Sequence, residues 1–140
     1  MPFIPLSTFF PDLVDRETRT ITILDESLGV PLGQYVLWEN YCNDEDCDCR
    51  KVIINMATIE NNKAKIWATI SFGWEEISHY KKWAHGHMDS AKAMLGSYLE
   101  PLGEQSKYAS KFLEIWKGVI EDDNYVERLQ RHYKIFKEKI

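Results

Sequence analysis

The sequence has little that would place the protein in a membrane, on nucleic acid or in a familiar class of enzyme. Its N-terminal apolar stretches are short, are interrupted by Pro2, Pro5 and Pro11, and follow no basic segment, which argues against a signal peptide or a membrane span. The formal net charge of -5 provides no overall attraction to nucleic acid or anionic lipid. The motifs H-E-x-x-H and G-x-S-x-G and a phosphate-binding glycine loop are missing. We therefore expect a cytoplasmic protein with no membrane partner.

Cysteine is also scarce, with three residues in a chain of 140. An odd number of cysteines does not suit a framework of disulfides, and a reducing compartment disfavours them. The chain does not need such cross-links, because 44% of its residues are hydrophobic and its length suffices for one core. The sequence predicts a single domain, 1–140, in which residues 1–17 form an extended N-terminal arm.

Alternating β-branched and aromatic residues predict strands in the first half of the chain, at 18–24, 33–41, 50–60 and 63–72. Asparagine tolerates positive φ, so Asn61 and Asn62 suit the turn of a tight hairpin in which Glu60 pairs with Lys63. This register predicts one face of the hairpin as core, and that face carries Ile53, Ala57, Ile59, Ala64, Ile66, Ala68, Ile70 and Phe72.

After Gly73 the spacing of apolar residues becomes helical. The spacing and the capping residues predict helices at 74–86, at 90–99 after a cap at Asp89, at 107–122 after Ser106, and from a capping box of Asn124 and Glu127 to the C-terminus. Strands followed by helices, without alternation, indicate an α+β fold. We predict an antiparallel sheet of about four strands over residues 18–72, covered on one face by C-terminal helices over residues 74–139.

The three cysteines, Cys42, Cys47 and Cys49, form a C-x4-C-x-C pattern between two predicted strands. Thiolates bind Zn²⁺ tightly, and a loop between strand ends can direct several side chains to one point. The spacing therefore predicts a site for one zinc ion per chain. The alternatives are a redox pair of Cys47 and Cys49 with Cys42 as the resolving thiol, and three unrelated buried cysteines; the acidic residues of the loop argue against both.

Three thiolates leave one position of a tetrahedral zinc site to be filled. The candidates are water and the four histidines, His79, His85, His87 and His132. His132 is favoured, because its spacing from the apolar stripe of the last predicted helix turns it partly inward. A histidine would close the site and make it structural, whereas water would leave it open for catalysis. Arg50, directly after Cys49, is expected to balance the negative charge around the metal.

Three parts of the sequence together resemble a group of small uncharacterised bacterial proteins. These parts are YC-x4-CDCR at 41–50, WATISFGWE and YKKW at 67–75 and 80–83, and YVERLQRHYKIFK at 125–137. The resemblance extends from about Thr20 to the C-terminus. It implies that the three cysteines, Arg50 and the triplet Arg131-His132-Tyr133 belong to a shared pattern, which adds to the preference for His132. It implies no particular activity.

Three functions are compatible with these features. The first is a non-enzymatic module, stabilised by zinc, that binds a protein partner or a second copy of itself, and it is favoured. The second is a metal-dependent hydrolase with water on the zinc and Asp44 or Asp48 as general base, although three thiolates make zinc a weak Lewis acid. The third is nucleic-acid binding by the basic last helix, through Arg128, Arg131, Lys134, Lys137 and Lys139, which the acidic remainder of the chain disfavours.

Overall fold

A computed structural model describes residues 3–83 and 96–140. In these ranges the chain forms a six-stranded antiparallel sheet and four helices. The strands are β1 (Phe3–Pro5), β2 (Thr20–Ile23), β3 (Gly33–Cys42), β4 (Lys51–Glu60), β5 (Lys63–Gly73) and β6 (Gly96–Leu99). The helices are α1 (Pro11–Glu17), α2 (Ile77–Trp83), α3 (Ala109–Val119) and α4 (Asp123–Lys139). None of these helices is long and apolar enough to cross a bilayer.

The α+β fold with an antiparallel sheet is confirmed, but the sheet has six strands rather than about four. One additional strand, β1, comes from the predicted arm and pairs with the end of β3, with Ile4 opposite Tyr41. The other, β6, lies in the part of the chain predicted as a helix at 90–99, and it pairs with the end of β5 from Ile70 opposite Leu99. Backbone pairing with an available sheet edge outweighs the helical spacing there. Residues 90–95 of that predicted helix lie outside the described ranges.

The sheet is built around β3, which has neighbours on both edges. β4 occupies one edge, and β2 and β1 share the other, with β2 at the start of β3 and β1 at its end. Helix α1 connects β1 to β2, so residues 3–17 form a strand, a short 3-10 turn and a helix. This arrangement brings the end of α1 next to the middle of β3.

The β4–β5 hairpin has the predicted turn but a different register along most of its length. Glu60 pairs with Lys63, and Asn61 and Asn62 have φ of 52° and 63°, as a type I′ turn requires. A bulge then shifts the register between Met56 and Ala57. A shift of one residue exchanges the two faces of a strand pair, so the predicted placement of Ile53 is wrong. The buried face of the hairpin carries Ala68, Ile70 and Phe72, as predicted, but with them Val52, Ile54 and Met56, which were predicted on the opposite face.

Helices α3 and α4 pack on this face of the sheet and complete one aromatic core. Phe112 and Trp116 of α3 and Phe136 of α4 are fully buried. The N-cap of α4 lies two residues before the predicted one. The Asp122 carboxylate, rather than Asn124, occupies the cap and accepts the backbone N–H groups of Asn124 and Tyr125. The C-terminal helices therefore cover one face of the sheet, as predicted.

Candidate metal centre

The loop between β3 and β4 brings the three cysteines together. Cys42 is the last residue of β3, Cys49 precedes β4 by two residues, and Cys47 lies in the loop between them. Their sulfur atoms all lie within 4.8 Å of one another, and no other histidine, cysteine or acidic ligand atom of the described residues joins this group. Cys42 and Cys49 are buried, and Cys47 is half-buried. The three cysteines are thus close enough to hold a metal ion.

The chemistry of this donor set suits a soft or borderline divalent cation. With metal–sulfur bonds of about 2.3 Å, the sulfur ligands of a tetrahedral ion lie about 3.8 Å from one another. The observed sulfur–sulfur distances of up to 4.8 Å are compatible with this value. The cysteines form no disulfide. Burial raises the pKa of Cys49 well above its usual range, and the neighbouring thiols of Cys47 and Cys42 raise it further. Burial also raises the pKa of Cys42. These shifts oppose a reactive thiolate and disfavour the redox alternative.

Helix α4 holds the cysteine loop from one side. The Tyr133 hydroxyl donates to Asp48 Oδ1 at 2.8 Å and accepts the backbone N–H of Arg50 at 3.2 Å. One turn further along, Lys137 Nζ donates to the carbonyl oxygens of Cys42 and Asp44, both at 2.9 Å. These four bonds span the loop from its first cysteine to the residue after its last. The cysteines are therefore positioned by a distant part of the chain as well as by the sheet.

Helix α2 holds the same loop from another side. Tyr80 is fully buried and donates its hydroxyl proton to the carbonyl oxygen of Arg50 at 2.9 Å. His79 Nε2 lies 2.9 Å from the carbonyl oxygen of Asp48. Arg50 itself has a φ of 48°, and its guanidinium pairs with the carboxylates of Asp48 at 2.9 Å and Glu75 at 3.0 Å. Its charge thus balances the carboxylates beside the cysteines.

The structure does not bring His132 to the cysteines. Its side chain is fully buried between α4, β3 and α1, where Nδ1 lies 2.7 Å from Glu39 Oε1 and Nε2 lies 3.0 Å from Glu17 Oε1. Both ring nitrogens are therefore engaged by carboxylates, and neither belongs to the group of ligand atoms around the cysteines. The other predicted candidates His85 and His87 lie outside the described residues.

The two carboxylates raise the pKa of His132. Burial by itself lowers the pKa of this imidazole, but the hydrogen bond and charge of Glu39, followed by those of Glu17, outweigh it, so that the pKa is raised. Hydrogen bonds from Arg131 and then His132 lower the pKa of Glu17 to about 2. The group is an acid–imidazole–acid cluster that joins three separate elements of the fold.

The triplet Arg131-His132-Tyr133 consequently has a structural explanation. Arg131 binds the Glu17 carboxylate, His132 binds Glu17 and Glu39, and Tyr133 binds the cysteine loop. Three consecutive residues of α4 thus fasten α1, β3 and the loop. Sequence reasoning missed Glu39 as the partner of His132. The sequence pattern could have indicated this partner. Glu39 alternates with the buried Tyr35, Leu37 and Tyr41 along β3, and an acidic residue at such an inward position needs a buried partner.

No protein-family model, no curated protein and no solved structure matches this chain.

Proposed function

We propose that this protein is a zinc-binding domain in which Cys42, Cys47 and Cys49 hold one zinc ion per chain. The ion fixes the loop between β3 and β4 against α2 and α4, and the domain acts as an interaction or accessory module rather than as an enzyme. The observation that carries the proposal is the convergence of all three sulfur atoms within 4.8 Å of one another. Metal binding then contributes directly to the stability of the fold.

The surroundings of the cysteines favour a structural role over hydrolysis. A general base next to the metal needs an available carboxylate oxygen. Both oxygens of Asp48 already accept hydrogen bonds, Oδ1 from Tyr133 and Oδ2 from Arg50. Burial raises the pKa of Asp48, but these two hydrogen bonds outweigh it and lower the pKa. Asp44 also accepts a bond, from the backbone N–H of Asp46. Both carboxylate oxygens of Asp48 and one of the two oxygens of Asp44 thus hold the loop.

The basic face of α4 is also largely committed to contacts within the domain. Arg128 donates to the carbonyl oxygen of Glu17, Arg131 pairs with the carboxylate of the same residue, and Lys137 binds two carbonyl oxygens of the cysteine loop. Three of the five cations considered for nucleic-acid binding therefore stabilise the fold. This observation favours a protein partner over nucleic acid.

An apolar surface at the end of the sheet opposite the cysteine loop supports an interaction role. Leu32 is 51% exposed and Ile59 is 63% exposed, and both line one surface cavity of about 510 Å³ with Val36 and Ala57. Large apolar side chains exposed around one depression are typical of a surface that receives apolar groups of a partner.

Native mass spectrometry of protein purified without chelators tests the metal site. We expect one zinc ion per chain in the wild type and in Glu45→Ser, which changes an exposed residue of the same loop. Cys47→Ser should lose the ion and should melt at a lower temperature, while Glu45→Ser should match the wild type. Wild-type protein that contains no metal under zinc-replete conditions, with all three thiols freely alkylated, would overturn the proposal.

A further inference from the structure

The fourth ligand of the proposed zinc site can be sought among the described histidines. His132 is unsuitable, because carboxylates engage both of its ring nitrogens. His79, unlike His132, contacts the cysteine loop. It lies on α2, and its Nε2 is 2.9 Å from the carbonyl oxygen of Asp48, the residue between Cys47 and Cys49. The imidazole is thus held at the backbone of the cysteine loop itself.

The hydrogen bond of His79 determines which nitrogen can bind a metal. A carbonyl oxygen can only accept a proton, so Nε2 must carry the hydrogen in this bond. In the neutral imidazole Nδ1 then has the free electron pair. Histidine ligands in metal sites usually donate their other ring N–H to a carbonyl or carboxylate oxygen, which fixes the tautomer. His79 already has this second interaction, on the loop that carries the thiols.

The contact next to His79 keeps α2 in place. Tyr80 donates to the carbonyl oxygen of Arg50 at 2.9 Å, so consecutive residues of α2 bind the backbone on either side of Cys49. The buried Tyr80 thereby limits how far the neighbouring imidazole can move from the loop. Neither His79 nitrogen belongs to the group of sulfur atoms within 4.8 Å, so a shift of the ring towards the thiols is needed to complete four-fold coordination.

We propose that His79 is the fourth ligand, through Nδ1, and that the site is therefore a closed Cys3His centre. This inference rests on the proposed zinc site. Its consequence is that the metal connects α2 to the loop between β3 and β4, so that docking of α2 depends on metal. The imidazole would add a ligand from α2 to a site whose thiols all come from the connection between β3 and β4.

Metal affinity and cobalt spectroscopy of histidine variants test this assignment. His79→Ala should bind zinc at least about 100-fold more weakly than the wild type, a larger loss than the roughly 10- to 100-fold typical of a residue that only positions a ligand. Its cobalt(II) complex should show altered d–d absorption bands, because a nitrogen ligand is lost. His132→Gln should keep the wild-type cobalt spectrum, since this imidazole is not a ligand. His85→Ala and His87→Ala should also keep it.

Hydrogen exchange provides a readout that is local to α2, because each amide reports the opening of its own segment. Zinc should increase the protection of amides in residues 77–83 of the wild type, and this increase should be missing in His79→Ala at the same metal occupancy. The His79 assignment would be overturned if the wild type contains zinc and His79→Ala keeps the wild-type zinc affinity and cobalt spectrum. That result would leave the three-cysteine site intact. A changed cobalt spectrum in His85→Ala or His87→Ala instead would assign the position to that histidine. Wild type without metal would overturn both proposals.

Discussion

Replacing His132 by leucine isolates the contribution of the buried cluster formed with Glu39 and Glu17. The imidazole is fully buried, and the Glu39 side chain is 1% exposed. Among the described residues, Glu39 Oε2 accepts no hydrogen bond, while Oε1 is bound by His132 and by the Tyr41 hydroxyl at 2.6 Å. His132→Leu keeps the volume filled but leaves the Glu39 carboxyl group without its charged partner.

Below about pH 6.5 the raised pKa keeps the His132 imidazole protonated. The expected destabilisation under these conditions follows from the cost of leaving one member of a buried ion pair alone. Such a change costs about 3 to 5 kcal/mol of unfolding free energy. For a chain of this length, 1 kcal/mol corresponds to roughly 4 °C, so the melting temperature should fall by about 12 to 20 °C. Urea denaturation gives the free energy directly, and calorimetry gives the melting temperature.

A second substitution separates the loss of the charge partner from the loss of packing. Glu39→Met in the His132→Leu background removes the unpaired carboxyl group, and the Tyr41 hydroxyl keeps a neighbouring acceptor in the carbonyl oxygen of Leu129 at 3.2 Å. The double variant should regain about 2 kcal/mol over His132→Leu alone. A single variant that loses less than about 1 kcal/mol, or a double variant no more stable than the single, would refute the argument.

The same cluster predicts a dependence of stability on pH. The pKa of His132 is raised above 6.5 on folding, so its contribution is complete below about pH 6.5 and is lost as the pH rises through the folded value. The pKa of Glu17 falls from 4.5 to about 2, so its contribution is present above about pH 4.5 and is lost as the pH falls towards 2. Measurements in a Cys47→Ser background avoid the pH dependence of metal binding. There, His132→Leu should flatten the alkaline side of the curve, and an unchanged alkaline side would contradict this interpretation.

Three further substitutions test other features. Tyr133→Phe removes the hydroxyl that contacts Asp48 and the Arg50 backbone, and it should lower zinc affinity about 10- to 100-fold in a chelator competition with little change in helix content. Asp122→Ala removes the N-cap of α4 and should lower stability in urea denaturation; Asp122→Asn also loses the ion pair with Arg19 but keeps a capping oxygen, so it should be the more stable of the two. Asn62→Val places a β-branched residue at a φ of 63° and should cost about 1 kcal/mol or more, while Asn62→Gly should be neutral or stabilising; equal stability of these two variants would argue against the type I′ turn.

Local features of the sequence predicted much of the fold. The hairpin turn could be predicted because Asn61-Asn62 lies between two β-rich runs, and the required backbone conformation is a property of those two residues. The helical spacing after 106 likewise predicted α3 and α4, whose apolar stripes face the core. The bulge between Met56 and Ala57 and the strand β6 could not be predicted, because both depend on which backbone groups of distant segments meet.

In the candidate site, the convergence of the cysteines follows from the sequence, whereas the environment of the histidines depends on the tertiary structure. The spacing of Cys42, Cys47 and Cys49 between two strands determines by itself that three thiols can converge, because the loop is too short to separate them. The environment of each histidine depends on the tertiary structure. The pattern of α4 shows only that His132 faces inward, and the packing of α1 and β3 decides that it meets carboxylates there. The packing of α2 on the cysteine loop, which brings His79 to Asp48, is decided in the same way by contacts between segments about 30 residues apart.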